Sequence, residues 1–158
     1  MIFLFVLTFK SLGQYKTAIG IRIGGTTGVI AKHFYKPELA TAGILGAFGN
    51  GVSLTGLIEK YQPVYNATGL HVFYGGGLHL AFYNGKDRRY GNFGREIDYR
   101  NNNDVGFGIN GIVGLEYKLP NNIPILVNID LKPFVEVGSG GYVSVAPDPS
   151  IGIKIILK

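Results

Sequence analysis

VGFGINGIVGLEYK, residues 105–118, is the stretch that decides how this chain folds. Its odd positions Val105, Phe107, Ile109, Val113, Leu115 and Tyr117 are apolar, with Gly111 the one gap. Its even positions Gly106, Gly108, Asn110, Gly114, Glu116 and Lys118 are small or polar, and Ile112 is the exception. Strand side chains alternate with a period of two, so the segment reads as a strand that is greasy on one side and glycine-rich and polar on the other. Which side is wet has to be settled from the rest of the chain.

At 158 residues the length suits one domain. There is no cysteine, which removes disulfides and thiolate metal sites. Charged residues make up 16%, aromatics reach 13% without tryptophan, and glycine numbers 25, a balance far from disorder. The net charge of +5 comes without a Lys/Arg cluster interleaved with aromatics, so no nucleic-acid surface is expected. No apolar run is long enough for a membrane-spanning helix. Ile2 to Phe9 is a short apolar run, followed by Lys10-Ser11-Leu12-Gly13. It reads as a secretory signal over residues 1–13, with cleavage ahead of Gln14 and a mature domain over 14–158; the alternative is a first buried strand.

Further alternating segments follow in order. Tyr15 to Gly24 sets Tyr15, Ile19, Ile21 and Ile23 against Lys16, Ala18, Gly20 and Arg22, and Thr27 to Tyr35 follows a turn at Gly25. Leu39 to Phe48 has the weakest pattern, and Gly49-Asn50-Gly51 supplies a hairpin to Val52–Tyr61. Leu70 to Phe82 alternates, residues 84–103 form the longest loop, and the opening strand comes next. Ile125 to Pro133 and Ile151 to Lys158 complete the set, with 134–150 read as a loop. About eight strands without an intervening helix predict an all-β fold, a closed up-and-down antiparallel barrel. Short or proline-marked connections at one rim and longer ones at the other match transmembrane barrels of the outer-membrane type.

One face collects the charges Arg22, Glu59, Glu116, Asp130, Lys132 and Lys154, together with Asn110, Asn128, Ser53, Thr55, His79 and most in-strand glycines. An eight-stranded barrel is just wide enough to be filled by side chains, so this face fits a narrow interior and the aliphatic face an exterior in lipid. Buried charges need partners, and Glu59, Glu116 and Asp130 are predicted to pair with Arg22, Lys132 and Lys154. Tyr15, Tyr35 and Tyr117 sit on the apolar face near the short-turn rim, where an aromatic girdle at a membrane interface belongs. The reverse polarity would give a lipocalin-like container.

The segments GIRIGGTTGVIAKHFYK, AGILGAFGNGVSLTGLIEKY, VFYGGGLH, GINGIVGLEYKL and IPILVNIDLKPF resemble small outer-membrane β-barrel domain proteins of Gram-negative bacteria. The resemblance implies an eight-stranded barrel with a periplasmic N-terminus and no assigned chemistry. Such proteins usually end in an aromatic residue, whereas this chain ends Ile156-Leu157-Lys158.

No motif points to catalysis, a cofactor or a metal. Gly106 to Gly111 matches G-x-G-x-x-G but continues as strand instead of opening a helix, and Gly75-Gly76-Gly77 lacks the Lys-Ser/Thr of a phosphate loop. His33, His71 and His79 have no ligand spacing. A lipid-modifying enzyme would need Ser53 or Ser144 beside a histidine, and Glu59 with Glu116 as an acid–base pair already has a structural role. Asn66-Ala67-Thr68 has a glycosylation pattern, which the resemblance to bacterial proteins implies is without meaning. In the long loop Arg88, Arg89, Arg95 and Arg100 are placed to meet lipopolysaccharide phosphates or a surface partner, or to be balanced by Asp87, Glu96 and Asp98. The expectation is a monomeric, non-enzymatic outer-membrane barrel with a filled lumen and a structural or surface-interaction role. A soluble carrier of an apolar ligand and a lipid-modifying enzyme stand as the alternatives.

Overall fold

The computed structural model describes residues 15–48, 51–84, 103–139 and 143–157. Ten strand segments run in order: β1 (Thr17–Gly24), β2 (Thr27–Lys36), β3 (Leu39–Phe48), β4 (Gly51–Pro63), β5 (Leu70–Asn84), β6 (Asn103–Lys118), β7 (Ile125–Leu131), β8 (Phe134–Gly138), β9 (Val143–Ala146) and β10 (Pro149–Ile156). They make eight staves. Val113 pairs with Leu131 and Asn110 with Phe134, which is one uninterrupted register, so β7 and β8 are a single stave broken at Lys132-Pro133. Pro149 opposite Leu131 and Phe134 opposite Ala146 likewise join β9 to β10 across Pro147-Asp148. Each stave is antiparallel to the next, β5 pairs with β6, and β1 pairs with β10 from Ala18↔Ile156 to Gly24↔Ser150, closing the barrel.

The two breaks explain a correction to the strand boundaries. The seventh strand does not stop at Pro133, nor does the eighth wait until Ile151. Proline removes a ladder donor, but Pro133 and Pro147 are exposed on the outer wall and only the hydrogen bonding falters there. Gly111 N–H still donates to Pro133 O at 2.9 Å, and Lys132 N–H to Asp148 O at 3.0 Å.

Turn chemistry is local. The β4–β5 and β6–β7 connections carry positive φ at Asn66, Asn121, Asn122 and Gly69, residue types that tolerate it. Inward glycines answer a different demand. A Cβ on Gly77 would run into the carbonyl oxygen of Gly56 on the adjacent strand, so close approach on the concave side admits no side chain.

Polarity is inverted relative to a soluble barrel. Ile21, Leu80, Ile109 and Ile153 lie outside at 50%, 39%, 57% and 49% exposure, while Arg22, Glu59 and Lys154 inside are at 1%, 0% and 0%. Near the rim bearing residues 15 and 157 the interior also holds an aromatic layer. Tyr15 meets Phe34 edge-on at 5.0 Å, Phe34 meets Tyr61 at 4.9 Å, and Tyr61 stacks on Phe73 at 5.1 Å.

Candidate functional site

The lumen is where the chemistry-bearing side chains converge, because alternation sends one residue in two of every stave inwards. Its first network sits against the aromatic layer. Glu116 on β6 accepts from the Tyr15 hydroxyl at 2.6 Å and pairs with Lys154 on β10 at 2.8 Å and Lys32 on β2 at 3.4 Å. Lys32 pairs with Glu59 on β4 at 2.8 Å and donates to the Tyr61 hydroxyl, which itself donates to Glu59 at 3.0 Å. The Lys32 ammonium also lies 4.7 Å from the Tyr61 ring centre and 4.8 Å from that of Phe73, within cation–π range.

Asn128 on β7 hands this network to a second one. Its carbonyl oxygen accepts from Lys154 at 2.6 Å, and its amide nitrogen donates to Asp130 at 2.8 Å. Asp130 pairs with Arg22 on β1 at 2.8 Å, and the other arm of the guanidinium meets Asp148 at 3.0 Å. Asp148 also takes Lys132 at 2.9 Å and the backbone N–H of Thr26 at 2.8 Å, while Arg22 Nε donates to Ser150 at 3.0 Å. Asp148 thus reaches the axis because the inward alternation of Ser144, Ala146 and Ser150 continues through the break at Pro147. A third group stands on β5, β6 and β8: the His79 ring nitrogens lie 2.6 Å from Asn110 Oδ1 and 2.6 Å from Glu136 Oε2, and the Tyr83 hydroxyl donates to Glu136.

Arg22, Glu59, Glu116, Asp130, Lys132 and Lys154 therefore all face inwards. Among themselves they form the ion pairs Arg22–Asp130 and Lys154–Glu116. Glu59 instead pairs with Lys32, and Lys132 with Asp148. Sequence reasoning missed Lys32, Asp148 and Glu136. Lys32 was legible, since it shares a face with Ile30 and Phe34; Asp148 and Glu136 fell in the stretch 134–150 read as loop.

Tyr15 is a correction to the girdle. A bend at Lys16, just before β1, breaks the alternation and turns the ring inwards, where the aromatic layer and Glu116 hold it at 7% exposure. Tyr35 and Tyr117 do face outwards. The loop arginines Arg88, Arg89, Arg95 and Arg100 and the signal segment 1–13 lie outside the described residues.

The remaining candidates occupy ordinary places. Gly106 to Gly111 runs inside β6. His33 is exposed and hydrogen-bonds Thr17 at 2.9 Å. Ser53 and Ser144 both point inwards, but the two His79 ring nitrogens face Asn110 and Glu136, so that imidazole is not turned to a serine hydroxyl. Among the described residues no group of three or more His, Asp or Glu is arranged to hold a metal. What the lumen offers chemically is compensated charge spanning β1, β2, β4, β6, β7 and β10, a set of cross-braces through the axis. No protein-family model and no curated protein matches this chain.

Proposed function

We propose that this chain is a non-enzymatic outer-membrane β-barrel protein with a side-chain-plugged lumen, serving a structural or surface-interaction role. The observation that carries the reading is the inverted polarity: cross-braced charges on the axis and an outer wall of Ile, Val, Leu and aromatic side chains. An exposed apolar surface that wraps a whole molecule is far beyond the patches soluble monomers carry, and a bilayer is the solvent that suits it. Closure supports the same reading, since joining β1 to β10 pairs backbone groups of the first and last staves that hydrocarbon would otherwise leave unsatisfied. A soluble carrier would instead turn Ile21, Leu80, Ile109 and Ile153 towards its ligand, and here they point away from the axis. The experiment is membrane fractionation of the expressed protein with heat-modifiable gel migration. Recovery in the outer-membrane fraction, with faster migration before boiling, is the expected outcome. A soluble product with unchanged migration would overturn the reading. Single-channel recording tests the plug, with no steady conductance expected.

A further inference from the structure

We propose that the outer wall of β2 to β5 carries a site for one phospholipid with an anionic headgroup, its phosphate between Lys36 and Lys60 and an acyl chain in the glycine-floored groove beside them. The proposal rests on the membrane reading above and adds a partner to it. Register sets the headgroup end. Lys36 pairs with Leu39, Leu39 with Lys60 and Lys60 with Tyr74, one row across four staves. An irregularity between Phe34 and Lys36 leaves both Tyr35 and Lys36 exposed instead of sending one of them inwards. At strand spacings of roughly 4.8 Å the two lysine backbones stand about 10 Å apart, a gap that two flexible ammonium groups close around one phosphate.

The charge is uncommitted. Lys32, Lys132 and Lys154 in the lumen are all ion-paired, whereas among the described residues neither Lys36 nor Lys60 has a side-chain hydrogen bond or ion pair. Glu38, in the turn between β2 and β3, is exposed and makes no ion pair with either lysine. Two bare cations at the edge of an apolar wall, with the outward-facing Tyr35 and Tyr74 beside them, match a phosphate at the level where a bilayer keeps its headgroups.

The chain end follows on the same strands. Two residues further along from Lys60 lies Ile58, then Gly56, which pairs with Gly43, and Gly76 continues the hollow on β5. A Cβ on Gly43 or Gly56 would meet nothing within 4 Å, so these glycines open space where close backbone approach does not demand them. The groove has a volume of about 720 Å³ and is walled by Ile58, Leu78 and Phe107. By contrast, Ile19, Ile21 and Ile23 on β1, Val127 and Ile129 on β7, and Ile151, Ile153 and Ile155 on β10 fill their outward positions with branched side chains.

The test uses native mass spectrometry of the folded barrel released from micelles doped with phosphatidylglycerol or phosphatidylcholine, alongside protease protection in vesicles. Wild type should retain one phosphatidylglycerol in preference to phosphatidylcholine. The double variant Lys36→Gln/Lys60→Gln should weaken retention about thirtyfold, on the scale of roughly 1 kcal/mol per surface cation near anionic lipid. Gly56→Leu, which fills the groove without a backbone clash, should abolish it, and both variants should insert into vesicles as wild type does. Insertion with equal retention of both lipids, or retention unaffected by the substitutions, overturns this proposal alone. A dimer that Gly56→Leu dissociates would make a second copy the occupant and overturn it too. Failure of the wild type to insert at all would instead bring down the membrane reading beneath it.

Discussion

Glu116 is the side chain on which most of the inner network converges, holding the Tyr15 hydroxyl and the ammonium groups of Lys154 and Lys32. Removing one partner of a buried ion pair strands the other, at a cost of about 3–5 kcal/mol. Glu116→Gln should therefore lower the melting temperature in detergent by several degrees, followed by circular dichroism; an unchanged melt would take Glu116 out of the network. Tyr15→Phe removes a single hydrogen bond to a charged group and should cost only about 1.5–3 kcal/mol in the same assay. These residues also mark how far the sequence could be read. Face membership of Glu116, Arg22 and Lys154 followed from alternation alone. Partner choice did not, because it depends on which staves meet across the axis, and Glu59 finds Lys32, a cation outside the set of Arg22, Lys132 and Lys154. Tyr15 was lost to one bend at Lys16, a feature that period-two counting has no way to register.

At the scale of the strand, two kinds of glycine do opposite things on the same pair of elements. Gly77 faces inwards where a Cβ would strike the Gly56 carbonyl, and Gly56 faces outwards into open space. Gly77→Ala should destabilise the β4–β5 pairing by about 1–3 kcal/mol, the range for overpacking, while Gly56→Ala should be near neutral. Amide hydrogen exchange along β4 and β5 would separate the two, and equal protection in both variants would count against the close-approach argument. Strand number and alternation were plain in the sequence because β-branched residues and turn residues agree. The staves containing Pro133 and Pro147 were cut short, since proline signals a strand end unless a neighbouring break faces it. Here Lys132-Pro133 and Pro147-Asp148 lie opposite one another, and both ladders resume in step.

For the molecule as a whole, the outer surface makes its own prediction about solvent. Ile109 lies in the interior of β6 at 57% exposure. In a bilayer Ile109→Arg should cost about 2–4 kcal/mol, read as a lowered urea midpoint for folding into vesicles. In water an exposed aliphatic-to-arginine change of this kind stays within about 0.5 kcal/mol, so a negligible effect would argue for an aqueous exterior. Closure has a temporal side as well. Ala18 meets Ile156, and Thr17 O takes the N–H of Leu157, so the earliest strand finds its second neighbour only in the last. No shorter product of synthesis is a smaller version of this barrel: until the final staves emerge, both margins stay open and sticky. Ring closure is therefore a long-range event, completed by the whole circuit of staves rather than by any locally folding segment.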